Sequence, residues 1–187
     1  MQKRADEVPR VVLVGMMGSG KTTVGKLLAQ RLGGQFADSD EEIESSRGMT
    51  IAQIFETDGE EGFRRIESEV LLSLLARDGP DVVAAGGGAV LSEANRDAMR
   101  DSSTVVWLRT GVATLAARVG SGDTRPLLAG RALERLEEIN REREEIYAPV
   151  ADVVVDTDDL PPESVTESVL EALRTHLARD LTASRPS

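Results

Sequence analysis

Short unbroken apolar runs alternate along this chain with longer stretches whose apolar positions recur every three or four residues. The runs at 11–14, 81–85, 104–108 and 152–155 read as strands, with a weaker one at 34–37. The periodic stretches at 21–32, 62–77, 93–100, 112–119, 131–147 and 163–177 read as helices. The strand runs lack strict alternation, as a sheet covered by helices on both faces requires. Regular β-to-α alternation of this kind predicts an α/β fold with a mainly parallel sheet flanked by helices. No internal repeat is visible. Low complexity is confined to 181–187, which is expected to be disordered, as are residues 1 to about 9.

Length and composition narrow the class. The 187 residues suit one domain of 1–187, with a core over about 10–178. Apolar residues make up 40% and charged residues 29%, an ordinary globular balance that excludes collagen-like and fully disordered chains. No run approaches the ~20 apolar residues of a membrane span. Lys3 and Arg4 before the run at 11–14 loosely mimic a secretion signal, but Asp6 and Glu7 interrupt the basic leader. With no cysteine there is no disulfide framework, which fits a reducing cytoplasm. A net charge of −11 argues against nucleic-acid or anionic-membrane partners. Any anionic ligand must be held by locally placed arginines, backbone amides or a metal.

The strongest chemical signal is Gly15-Met16-Met17-Gly18-Ser19-Gly20-Lys21-Thr22, a full match to G-x-x-x-x-G-K-[ST] between a strand and a helix. Such a loop curls so that backbone N–H groups meet phosphate oxygens at the positive end of the helix. Lys21 neutralises β- and γ-phosphates, and the Thr22 hydroxyl suits Mg²⁺. Lysine is scarce, with only Lys3, Lys21 and Lys26 in the chain. A nucleoside triphosphate site follows. No N-K-x-D or T-K-x-D base-reading motif is present, which excludes a GTPase. Val153-Val154-Val155-Asp156 resembles a second metal-binding motif, but its late position favours a last strand with a polar exit.

Ligands of open α/β sheets bind beyond the carboxyl ends of the strands. The second strand delivers Asp38-Ser39-Asp40 there, either a ligand pair or the cap of a following helix. The third delivers Gly86-Gly87-Gly88, either an open backbone for a ligand or a plain loop. In the helix at 131–147 the stripe Leu136, Ile139, Arg143, Ile146 puts Arg143 on the apolar face, where it needs a buried anion. Arg64 flanks the stripe Phe63, Ile66, Val70, Leu74. Helix spacing alone favours a solvated Arg64 paired with Glu60 or Glu61. Arg125 precedes Pro126, which places it on a loop after the run Gly120-Ser121-Gly122. His176 and Trp107 read as packing residues.

Taken in order, these residues resemble the shikimate kinases from about Val11 to Thr157. The resemblance rests on the phosphate loop, Asp38-Ser39-Asp40, Ile51-Ala52-Gln53-Ile54-Phe55, Gly59-Glu60-Glu61-Gly62-Phe63-Arg64-Arg65-Ile66-Glu67, Gly86-Gly87-Gly88-Ala89-Val90, Arg125-Pro126-Leu127-Leu128, and Arg143 four residues before Tyr147. The loop alone is shared by many NTPases; the later motifs are far more specific. Departures are mild: Thr22 stands where many members carry Ser, and Ala85 precedes the triple glycine.

The resemblance implies ATP-dependent phosphorylation of the 3-hydroxyl of shikimate, in the pathway to aromatic amino acids. It implies a five-stranded parallel sheet of the nucleoside-monophosphate-kinase type, with a shikimate-binding subdomain over about 38–67 and a lid over about 119–130. Lys21, Asp40 and Arg125 are the implied catalytic residues, with Asp40 the candidate base or a positioning group. Gly18, Ser19, Gly20, Lys21, Thr22, Thr23, Arg118 and Arg125 are implied at ATP, with Arg118 near the adenine. Asp40, Arg64, Gly86, Gly87, Gly88 and Arg143 are implied at shikimate, and one Mg²⁺ at Thr22 and, through water, Asp38. A cytoplasmic monomer is expected. The competing readings are a gluconate or nucleotide kinase of the same architecture, and a non-catalytic ATP-binding regulator.

Overall fold

The computed structural model describes residues 9–76, 78–119 and 132–183. Five strands, β1 (Val11–Val14), β2 (Phe36–Asp38), β3 (Val82–Ala84), β4 (Thr104–Arg109) and β5 (Val153–Asp156), form one parallel sheet in the order β2-β3-β1-β4-β5. Seven α-helices are described: α1 (Lys21–Leu32), α2 (Ser39–Arg47), α3 (Ile51–Leu74), α4 (Glu93–Ser102), α5 (Val112–Val119), α6 (Ala132–Val150) and α7 (Pro162–Ala183).

Successive side chains of the central strands enter two different cores. Val12, Val14, Val83, Val105 and Trp107 pack with residues of α3, α4, α5 and α6. Val11, Leu13, Val82, Val106 and Leu108 pack with α1 and α7. Both faces are therefore dry, which is why the central strands read as continuous apolar runs. Leu13 and Leu28 are completely buried, and cutting either back to alanine should cost about 2–5 kcal/mol. The edge strand β5 departs from this pattern. Val153 and Val155 are buried while Val154 is 44% exposed. Trp107 packs, as expected, against Tyr147 with ring centroids 5.6 Å apart.

Beyond β2 the chain builds a small third core from Ile43, Ile54, Phe63 and Ile66, shared by α2 and α3. This is the segment expected as a substrate subdomain. The helices differ from the sequence reading in places. The helix α2 is additional to the predicted elements, and α3 starts at Ile51 rather than at 62. Thr50 opens α3 with a capping box, its hydroxyl accepting from Gln53 N while the Gln53 side chain accepts from Thr50 N. The helix is then broken at Gly59, whose φ of 68° and ψ of −177° are not helical. Glycine tolerates this conformation and so allows two helical pieces to run on as one kinked element. At the other end α7 continues to Ala183, so 181–183 are helical where disorder was expected. The expected lid after Val119, with Arg125, lies outside the described residues, as do 1–8 and 184–187.

Candidate active site

The helix α1 begins directly after the phosphate loop, and its first turn carries no acidic residue. Gly20 occupies the N-cap with φ 94° and offers no side-chain cap. The first-turn N–H groups are thus left to an external acceptor, which is the anion-binding end of a helix. The Lys21 ammonium donates to the carbonyls of Gly15 (2.8 Å) and Met16 (3.0 Å), so it arches back over its own loop. Gly18, Ser19, Gly20, Lys21, Thr22 and Thr23 line a cavity of about 610 Å³ that also reaches Asp38, Asp40, Gly87 and Arg118. The Ser19 hydroxyl, although buried, finds no partner among the described residues.

At the exit of β2 one carboxylate serves two elements. Asp38 accepts the Thr22 hydroxyl at 2.6 Å through one oxygen and the Asp40 N–H at 2.9 Å through the other. The helix-cap reading of Asp38 is therefore realised, and the same carboxylate faces α1 at the loop. Among the described residues no group of three or more histidine, cysteine or acidic side chains could hold a metal. The Thr22–Asp38 pair fits an Mg²⁺ that takes most of its ligands from phosphate and water, the usual habit of this ion. Ser39, fully buried, accepts the Gly86 N–H at 2.8 Å and ties α2 to the triple glycine.

The triple glycine is a place where other groups come close. A β-carbon at Gly86 would lie 2.7 Å from both an Asp40 and a Glu67 carboxylate oxygen. One at Gly88 would lie 2.0 Å from Arg64 Nη1. The Gly87 carbonyl accepts the Tyr147 hydroxyl at 2.8 Å. Arg64 pairs with Glu67 at 2.8 Å and more loosely with Glu60 at 3.4 Å, while its Nε is buried without a described partner. The predicted Glu60 pair exists, but Arg64 also turns inward. Arg64, Glu67 and Gly88 line a second cavity of about 530 Å³.

Arg143 reaches the same cluster from α6. Burial pulls its guanidinium below the ordinary arginine value; the Tyr147 and Glu67 charges act the other way, and Arg64 reinforces the fall. Its Nη1 is buried with no described partner. Two guanidiniums that sense each other, each with an unpartnered buried nitrogen, can receive an anion such as a carboxylate. Glu67 is 2% exposed. Burial pushes its carboxyl up, opposed by the adjoining Arg64 and reinforced by Asp40. Burial likewise pushes up the Tyr147 hydroxyl.

At the far end of the first cavity Arg118, at the end of α5, donates to the Gly18 carbonyl (3.2 Å) and the Thr157 carbonyl (3.4 Å). Thr157, Leu160 and Pro162 complete that wall. Asp156 instead forms a two-pronged pair with Arg109 at the sheet edge, consistent with a polar strand exit rather than a metal ligand.

The structure thus gathers Lys21, Thr22, Asp38 and Asp40 around one cavity and places Arg64, Gly86, Gly87, Gly88 and Arg143 beside it. Sequence reasoning gave no role to Glu67, Tyr147 or Ser39. Glu67 carried a usable signal, since it sits four residues after Phe63 on the apolar side of α3, the same kind of misplacement that marked Arg143.

A sequence model of the shikimate kinase family matches residues 17–174. The shikimate kinase of Marinomonas sp. (strain MWYL1) is 41% identical over 180 residues, covering 95% of this chain and 99% of that one. That of Symbiobacterium thermophilum is 46% identical over 167 residues, with 88% and 95% covered. Among solved structures, shikimate kinase from Acinetobacter baumannii in complex with shikimate superposes with a TM-score of 0.87 at 37% identity, covering 91% of this chain and 95% of that one. A cradle for triphosphate beside a carboxylate and two inward-facing arginines is thus accompanied by similarity over nearly the whole length, and the chain belongs to the shikimate kinase family.

Proposed function

We propose that this enzyme transfers the γ-phosphoryl group of ATP to the 3-hydroxyl of shikimate, giving shikimate 3-phosphate and ADP in the route to chorismate and the aromatic amino acids. The observation that carries the proposal is the placement of Arg64 at Gly88 of the triple glycine, with Arg143 in electrostatic reach of it and Asp40 at Gly86, beside the cavity of the phosphate loop. Shikimate is a carboxylate with three hydroxyls. The guanidiniums suit its carboxylate, and Asp40 with the glycine backbone suits its hydroxyls.

In this reading Lys21 leaves the Gly15 and Met16 carbonyls for the β- and γ-phosphates, stabilising charge that spreads over the transferring group. Asp40 holds the 3-hydroxyl in line and accepts its proton as the new O–P bond forms and the bond to ADP breaks. Thr22 and Asp38 would hold Mg²⁺, whose chemistry is neutralisation of phosphate charge. Arg118 lies along the adenine, and Arg125, outside the described residues, supplies a planar fork to the phosphates. The chain is read as a monomer, and the absence of cysteine suits the cytoplasm.

The test is ADP release at neutral pH with Mg²⁺ and shikimate, gluconate, nucleoside monophosphates or no acceptor. Release that requires shikimate is expected. Equal release with gluconate, or release independent of any acceptor, would overturn the assignment.

A further inference from the structure

The β4–β5 ladder does not stop where the strands stop. Its last register pair is Arg109 with Asp156, and the next two residues on each side go on pairing. Thr157 N donates to the Arg109 carbonyl at 2.9 Å. The Thr110 and Thr157 hydroxyls meet at 2.6 Å, both buried. Then Gly111 N donates to both carboxylate oxygens of Asp158, each at 3.0 Å. A β-carbon at position 111 would lie 2.9 Å from an Asp158 oxygen, so glycine is what lets this carboxylate come in.

The rung at Asp158 joins two things that matter to the nucleotide. Gly111 opens α5, its carbonyl accepting from Leu115 N, so the Asp158 charge sits at the positive end of that helix. Seven residues later the same helix delivers Arg118 to the cavity, where it bridges the Gly18 and Thr157 carbonyls. Asp158 also belongs to the loop whose Thr157 and Leu160 line the same cavity. Directly after it, Asp159 holds φ at 55°, the one non-glycine residue with positive φ among the described residues. Such a conformation persists where flanking structure over-determines it, and the Asp158 anchor lies immediately before it.

We infer that Asp158 is a positioning residue for the nucleotide: by clamping the loop after β5 to the start of α5, it sets the position of the Thr157–Leu160 wall relative to Arg118, at the end of the cavity that takes the base of the nucleotide. It touches no substrate itself. The inference rests on the nucleotide reading of the cavity but not on the identity of the phosphate acceptor.

Calorimetric titration with two probes, ADP and inorganic tripolyphosphate, in magnesium buffer tests it. Tripolyphosphate engages the phosphate loop alone, whereas ADP also fills the base end. Asp158→Ala should weaken ADP roughly tenfold, the effect of one charge-assisted hydrogen bond, and leave tripolyphosphate unchanged. Asp158→Asn keeps an acceptor for Gly111 N and should recover most of the ADP affinity, ending about threefold below the native chain. In turnover the Ala variant should raise KM for ATP with kcat at saturation unchanged. Native ADP affinity in Asp158→Ala overturns the proposal, as does a parallel loss for both probes, which would mean general damage to the fold. If the Ala variant does not fold, the Asn variant decides by the same pair of titrations. Failure of the native chain to bind ADP is a separate result and defeats the nucleotide reading itself.

Discussion

Arg64 passes so close to Gly88 that a β-carbon there would stand 2.0 Å from its Nη1. The obstruction would meet the far end of a flexible side chain rather than backbone. Gly88→Ala is therefore expected to fold with nearly native Tm while turning Arg64 away from the acceptor side. Shikimate binding should weaken by roughly ten- to a hundredfold, the range of a lost charge-assisted bond, with ADP binding unchanged. Arg143→Ala should weaken shikimate similarly by removing the second guanidinium. Calorimetric titration of both ligands into both variants checks this, and native shikimate affinity in both would detach the arginine pair from the acceptor.

Lys21 donates to the carbonyls of Gly15 and Met16, within the phosphate loop itself. Lys21→Met should abolish phosphoryl transfer, because the charge that serves the triphosphate is gone. Shikimate affinity should remain native. A coupled ADP assay and a shikimate titration on the same preparation separate the two effects. Near-native turnover would remove the phosphate loop from the chemistry.

Asp40→Asn retains size and most hydrogen-bonding shape beside Gly86 while removing the charge. If Asp40 accepts the hydroxyl proton, kcat should fall by about 10²-fold or more, with a much smaller change in KM for shikimate. A fall in affinity with kcat intact would make Asp40 a positioning group and leave the transfer to Lys21 and the metal.

The parts legible in the sequence are those whose signal is local. The phosphate loop sits between a strand and a helix, and its spacing alone fixes the cradle. Central strands such as β1 announce themselves because both faces are buried. Arg143 was found as a charge on an apolar stripe. The helix α2 was hidden because its run Ser39–Arg47 is mostly polar and buries only Ser39 and Ile43. The first half of α3 was hidden by Gly59, which breaks the helical period before Arg64. Spacing suggested that Arg64 pairs outward with Glu60 or Glu61, and it cannot reveal the room that Gly88 provides from a different element. The Asp158–Gly111 rung joins residues 47 apart and carries no local signature.

Glu67 sets burial against pairing, and pH decides which effect dominates. Its carboxyl is 2% exposed and 2.8 Å from Arg64. If the ion pair prevailed, the folded-state pKa would lie below its ordinary value of 4.5. Burial is instead the larger influence and holds it above that value. The folded chain then binds this proton more tightly than the unfolded chain does, so stability falls as pH rises through the window between the two values. Glu67 makes its full contribution below the unfolded value of 4.5 and loses it as pH rises through the raised folded value. Glutamine cannot titrate here. The stability of the native chain relative to Glu67→Gln, and with it the Tm difference, should therefore increase on acidification from about pH 7.5 towards pH 4.5, the free-energy difference changing by at most about 1.4 kcal/mol per pH unit. Paired thermal melts across that range provide the measurement. A difference that shrinks on acidification would show that Arg64 outweighs burial at Glu67, and a flat one that the two cancel.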